Sequence, residues 1–138
     1  MIKIIESNFK VDKDFYLDKL QEIVTELEIK GDIVIKLGDK EESQTLNAQF
    51  LQRDYPTDVL SFPFNENIPG EGYYLGDIFI CYSMAEEQAK ENDIPLEKEL
   101  FTLMLHGILH LAGYDHETDV GEMQKMQEQI LKKFGKHF

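Results

Sequence analysis

Apolar positions along the 138 residues change period several times, and each change marks an element. Residues 1–5 (MIKII) read as a short strand. Residues 13–28 carry apolar side chains at 16, 17, 20, 23, 24 and 27, the spacing of a helix with one buried side. GDIVIKLGD, 31–39, alternates Ile33, Ile35 and Leu37 as a strand does. A second helix is expected over 41–52, with Leu46, Asn47, Phe50 and Leu51. Pro56 breaks any helix, and VLSF reads as a strand that Pro63 confines to an edge or a strand end. Residues 65–74 read as a loop for their glycines, Asn and Pro. LGDIFICY, 75–82, is the most strand-like run in the chain, and Ser83 is placed to cap a helix over 84–92, with Glu86 completing a capping box. Pro95 opens a longer helix over 96–112. A last, amphipathic helix over 117–134 turns Val120, Met123, Met126, Ile130 and Phe134 inward. The expectation is an α/β (α+β) fold in one domain, 1–138, with a single small mixed sheet flanked by helices.

Charge narrows the partners. There are 27 acidic residues against 14 basic, a formal charge of −13, and Arg53 is the single arginine. Such a surface repels nucleic acid on average, so any RNA-binding reading needs a local basic patch. The one cysteine, Cys81, sits in an apolar run and reads as a buried free thiol, which suits a reducing cytosol. The N-terminus has no signal-peptide pattern, and no apolar run approaches the roughly 20 residues that span a membrane. A soluble, cytoplasmic protein with no membrane partner is expected.

The candidate chemistry lies in HGILHLAGYDH, 106–116, which holds three of the four histidines. His106 and His110 are one helical turn apart on a nearly all-apolar helix, and Gly113 permits a turn that brings His116 back toward them. Three imidazoles with an open fourth position describe a catalytic zinc site, one ion per chain, although another divalent first-row ion would also fit. A structural site would need a fourth protein ligand, and the strand around Cys81 gives no reason to place it there. Asp115 either orients a ligand through a hydrogen bond or serves the turn. The spacing matches the metzincin pattern H-E-x-x-H-x-x-G-x-x-H except that Gly107 stands in place of the glutamate that takes a proton from water. Glu99 and Glu117 stay open as substitutes. The missing side chain leaves room beside the metal, for a bulky substrate or for close backbone packing.

HGILHLAGYDH together with PTDVLSFPF and LGDIFIC resembles the YbeY family of bacterial endoribonucleases. Every fixed position of the family motif H-G-x-L-H-L-x-G-Y-D-H is matched, and the likeness runs on through Leu46, Asn47 and the last helix. The resemblance implies a zincin-like α/β sandwich with zinc on His106, His110 and His116. It implies metal-dependent cleavage of single-stranded RNA in 16S ribosomal RNA 3′-end maturation and ribosome quality control, in the cytoplasm and with the ribosome or its proteins as partners. One departure matters. The family's arginine after the Leu-Asn pair aligns without gaps to Leu51; Arg53 lies two residues on and is the catalytic candidate after a local shift, the alternative being a solvated surface arginine.

Around the site, Phe62, Phe64, Tyr73 and Tyr74 are read as base-stacking residues or as ordinary packing. Ser61 and Asp77 either line the cleft or satisfy buried backbone. Two other functions remain in view at this level. One is a non-catalytic ribosome-assembly factor with a structural metal. The other is a zinc metallopeptidase, against which Gly107 argues.

Overall fold

The computed structural model describes residues 1–6, 9–114 and 121–134. Four strands, β1 (Ile2–Glu6), β2 (Asp32–Gly38), β3 (Val59–Ile68) and β4 (Gly72–Cys81), form one mixed sheet in the order β1-β2-β4-β3. β1, β2 and β4 are parallel, while β3 runs antiparallel to β4 and forms an edge. The helices among the described residues are α1 (Lys13–Glu26), α2 (Lys40–Leu51), α3 (Tyr82–Glu91), α4 (Leu96–Leu111) and α5 (Glu122–Phe134). The expected α+β class, one mixed sheet with helices around it, is the class observed.

The period-2 alternation sorts the sheet into two faces. Ile33, Ile35, Leu37, Ile78 and Ile80 join the main core, with Leu20 and Ile23 of α1 and Leu105, Ile108 and Leu109 of α4. Leu60, Phe79 and Cys81 point the other way, into a smaller cluster with Leu46 of α2. α4 and α2 therefore cover opposite faces of the β3–β4 pair. α5 closes the main core with buried Met123, Ile130 and Phe134, and Met126 packs against its margin as the pattern predicts. Val120 lies outside the described residues.

Two expectations need correction. Residues 65–74 are not a loop, because β3 and β4 run through most of them as a hairpin. Pro63 is tolerated on the edge strand, where its missing N–H breaks no interior ladder. Asn65 takes a left-handed conformation (φ 53°) at the register shift between Pro63 and Glu66. The true turn is Pro69-Gly70, closed by Glu71 N–H donating to the Ile68 carbonyl at 2.9 Å; Gly70 has φ 82°, as a type II turn requires at its third position. The second correction concerns Ser83. α3 begins at Tyr82 with Cys81 at the cap position and no side-chain capping bond, so Ser83 already lies inside the first turn.

Candidate active site

α4 carries the histidines because its sequence forms a long helix with a firm stop. Glu97 in its first turn complements the positive end of the helix. At the other end, Gly113 N–H donates to the His110 carbonyl and Tyr114 N–H to the Leu109 carbonyl, both at 3.1 Å. With Gly113 at φ 103°, this is a Schellman stop, and it satisfies the orphan carbonyls of Leu109 and His110.

His106 and His110 stand one turn apart on a half-buried flank, with ring centroids 6.3 Å apart and ring planes inclined at 39°. The opposite flank, Met104 and Ile108, is fully buried. Nδ1 of His106 lies 3.2 Å from Oε1 of Gln127 on α5. The chemistry of the described donors fits a first-row ion: two imidazoles stand one turn apart on one flank, and Nδ1 of one faces an acceptor. His116, Asp115 and Glu117 lie outside the described residues. Among the described residues no group of three or more His, Cys, Asp or Glu side chains is gathered for a metal. Cys81 is fully buried on the sheet face away from α4, so it does not serve as a fourth ligand, and burial pushes its thiol pKa up.

Gly107 has a packing role. A Cβ at this position would lie 2.7 Å from Cγ2 of Ile78, inside van der Waals contact, so the helix approaches β4 closely. The expected room for a bulky substrate is filled by Ile78, and a metzincin glutamate has no place here. Ser61 Oγ donates to the Gly107 carbonyl at 3.4 Å, so Ser61 serves the helix backbone. Glu99 is seven residues before His106, roughly 10 Å along the axis, and its buried carboxyl is held above the usual range by desolvation and by Asp58. It stands too far back to move a proton at the histidine pair.

Arg53 is exposed and follows α2, whose C-cap, Gln52, is left-handed (φ 57°). Its loop is fastened to α2. Asn47 Nδ2 donates to the Tyr55 carbonyl at 2.8 Å, Ser43 Oγ donates to the Thr57 carbonyl at 2.7 Å, and Thr57 N–H donates back to Ser43 Oγ at 2.9 Å. Among the described residues the Arg53 guanidinium has no hydrogen-bond or ion-pair partner. Phe50, near the end of α2, packs edge-to-face on Phe62 of β3 at 5.2 Å. Arg53 thus follows the helix that covers one face of the sheet, and the histidines stand on α4, which covers the other. Leu51, the gap-free position of the family arginine, is an exposed residue at the end of α2.

The family described as Endoribonuclease YbeY matches residues 1–135. The chain belongs to the YbeY family. An Endoribonuclease YbeY from Nautilia profundicola is 45% identical over 130 residues, covering 94% of this chain and 91% of that relative. Another, from a Sulfurihydrogenibium species, is 40% identical over 128 residues, covering 90% and 84%. The solution structure of TM1509 from Thermotoga maritima superposes with a TM-score of 0.70 at 36% identity, covering 99% of this chain and 91% of that one.

In this YbeY-family chain the hairpin aromatics divide. Phe62 is half-buried against Phe50, whereas Phe64 and Tyr73 are exposed. Phe64 packs on Tyr74 at 5.3 Å, and Tyr74 donates its hydroxyl to Asp77. Desolvation first, and that bond second, push the Tyr74 pKa up to about 12, so Tyr74 stays a neutral donor at any physiological pH. Asp77 thereby has a local partner on the exposed side of β4.

Sequence reasoning passed over two features. One is Gln127, a polar residue in the inward stripe of α5, four residues after Met123 and three before Ile130. The other is a groove of about 450 Å³ between the start of α4 and α5, lined by Lys98, Lys125, Glu128, Gln129, Leu131 and Lys132. None of these three lysines has an ion-pair partner among the described residues. Lys125 and Lys132 lie seven apart, two turns along one face of α5, a spacing that a pattern search for apolar residues does not register. No helix among the described residues is long and apolar enough to cross a membrane.

Proposed function

We propose that this protein is a metal-dependent endoribonuclease specific for single-stranded RNA, with His106, His110 and His116 as ligands of one zinc or other first-row ion. Its place is the 3′-end maturation of 16S ribosomal RNA and ribosome quality control, in the cytoplasm and in company with ribosomal proteins. The observation that carries the reading is the pair of imidazoles held one turn apart on α4 in a chain whose relatives are endoribonucleases. When bound, the ion supplies Lewis-acid stabilisation of charge on a phosphoryl oxygen and acidifies water. The chain's own residues supply the rest. α4, anchored on Ile78 and stopped at Gly113, fixes the imidazoles. Arg53, exposed on the loop after α2, offers a fork of donors to a phosphate of the strand being cut. The packing of Gly107 against Ile78 weighs against a peptidase.

An acidic protein must still hold RNA. The groove lined by Lys98, Lys125 and Lys132 is net positive, with Glu128 its one carboxylate, and α5 also carries Gln127, which touches His106. A strand entering the site has phosphate contacts there.

Elemental analysis of the wild type and of His110→Ala, with cleavage of a single-stranded RNA oligomer by the same samples, tests the reading. We expect about one zinc per chain in the wild type, lost together with cleavage in the variant. If zinc is lost while cleavage persists, the metal mechanism is wrong. If the wild type holds zinc and binds ribosomal particles but purified protein cuts nothing, the assembly-factor reading takes its place.

A further inference from the structure

We propose that Gln127 is a positioning residue for the histidine pair: its amide oxygen holds His106 as the Nδ1–H tautomer, leaving the Nε2 lone pair to ligate a divalent first-row ion. This rests on the assignment of His106 as a ligand. Three observations lead to it. The first is the 3.2 Å separation between Gln127 Oε1 and His106 Nδ1, a normal donor–acceptor distance. A neutral imidazole has one N–H, so the nitrogen facing an acceptor carries the proton and the other carries the lone pair.

The second is the place of Gln127 on its helix. Met123, Ile130 and Phe134 on the same stripe are buried, and an apolar residue between them would remove more surface from water. Gln127 is half-buried among them, and its amide oxygen faces the imidazole. The third is the rigidity of the support. Past Gln127, α5 is fixed to the body by the Phe134 ring against Phe101, centroids 6.1 Å apart, and by Lys133 to Glu26 at 2.6 Å. The amide is thus held on an element with its own anchors, and it can impose an orientation on the ring. Because it is neutral, it adds no negative charge where RNA phosphates must approach.

Gln127→Met keeps the length and packing of the side chain but removes the acceptor, and Gln127→Glu keeps an acceptor. Two readouts apply: the ring ¹⁵N shifts of His106 in metal-free protein, which report the tautomer, and the zinc dissociation constant from chelator competition. The expected result is His106 as the Nδ1–H form in the wild type and in Gln127→Glu. In Gln127→Met that preference should be lost and zinc affinity should fall by about 10- to 100-fold. An unchanged tautomer and zinc affinity in Gln127→Met overturns the proposal and leaves the metal reading intact. Equal loss of affinity in both variants, with lower thermal midpoints for both metal-free proteins, means that Gln127 only packs, and also overturns it. A wild type that binds zinc no tighter than His106→Ala overturns the metal reading, and this proposal with it.

Discussion

Gly107 sets the distance between α4 and β4, and its neighbours show what an added methyl would meet. Three carbons of Ile78 lie 2.7, 2.9 and 3.0 Å from where a Cβ would sit, and Ile78 is only 1% exposed, so it has nowhere to go. Alanine gains about 1 kcal/mol in helix propensity, but overpacking costs about 1–3 kcal/mol. Gly107→Ala should therefore destabilise the fold by roughly 1 kcal/mol, read as a lower midpoint in chemical denaturation, with a weaker metal site as α4 is pushed off the sheet. Glu99 makes a second residue-scale prediction. Burial, aided by Asp58, raises its pKa above the ordinary 4.5 in the folded state. The native state then binds the proton more tightly than the unfolded chain, so stability falls as pH rises from 4.5 through the raised value. Glu99→Gln removes that penalty. Its thermal midpoint should exceed the wild type's at pH 7, and the difference should close as pH drops below 4.5. An advantage that persisted unchanged in acid would have another origin.

The loop between α2 and β3 depends on one helix for its shape. Asn47 is buried, its Nδ2 holds the Tyr55 carbonyl, and its Oδ1 has no partner among the described residues, so one bond carries the compensation for burying the amide. Asn47→Ala should cost about 1–3 kcal/mol and speed hydrogen exchange at Thr57, whose N–H is held by Ser43. RNA cleavage should fall in step with the loosened Arg53. Legibility in the sequence also divides by element. α1, α4 and β2 were readable because tertiary packing agrees with their periods, and the histidine pair was readable because ligand spacing and helical period coincide. The hairpin was not, because Pro63, Asn65, Pro69 and Gly70 carry the composition of a loop; an edge strand, a bulge and a three-residue turn use the same residues. The cap at Ser83 failed because the chain turns helical one residue sooner, at Tyr82. Gln127 escaped because a search for inward apolar positions passes over the half-buried polar residue among them.

Across the whole molecule, a charge of −13 opposes RNA, yet the family's name requires it. Where the 14 basic residues stand resolves the conflict in part. Lys13, Lys36, Lys40 and Lys133 are paired with carboxylates, so they add little to a long-range field. Lys98, Lys125 and Lys132 are not paired, and they share one groove. If RNA phosphates lie there, each lysine releases a counterion on binding, and for single strands the slope of log affinity against log salt is about 0.7 per contact. Replacing all three by glutamine should weaken binding of a single-stranded oligomer and flatten that slope by about 2, with zinc content unchanged because none of the three is a ligand. Arg53→Lys offers the contrast. It keeps the charge and should leave the slope near the wild type's, but it loses the planar fork, so cleavage should fall more than binding. A triple variant with an unaltered slope would move the RNA away from α5. The strand would then be held at Arg53 and by partner proteins, because a net charge of −13 leaves little other attraction for phosphate.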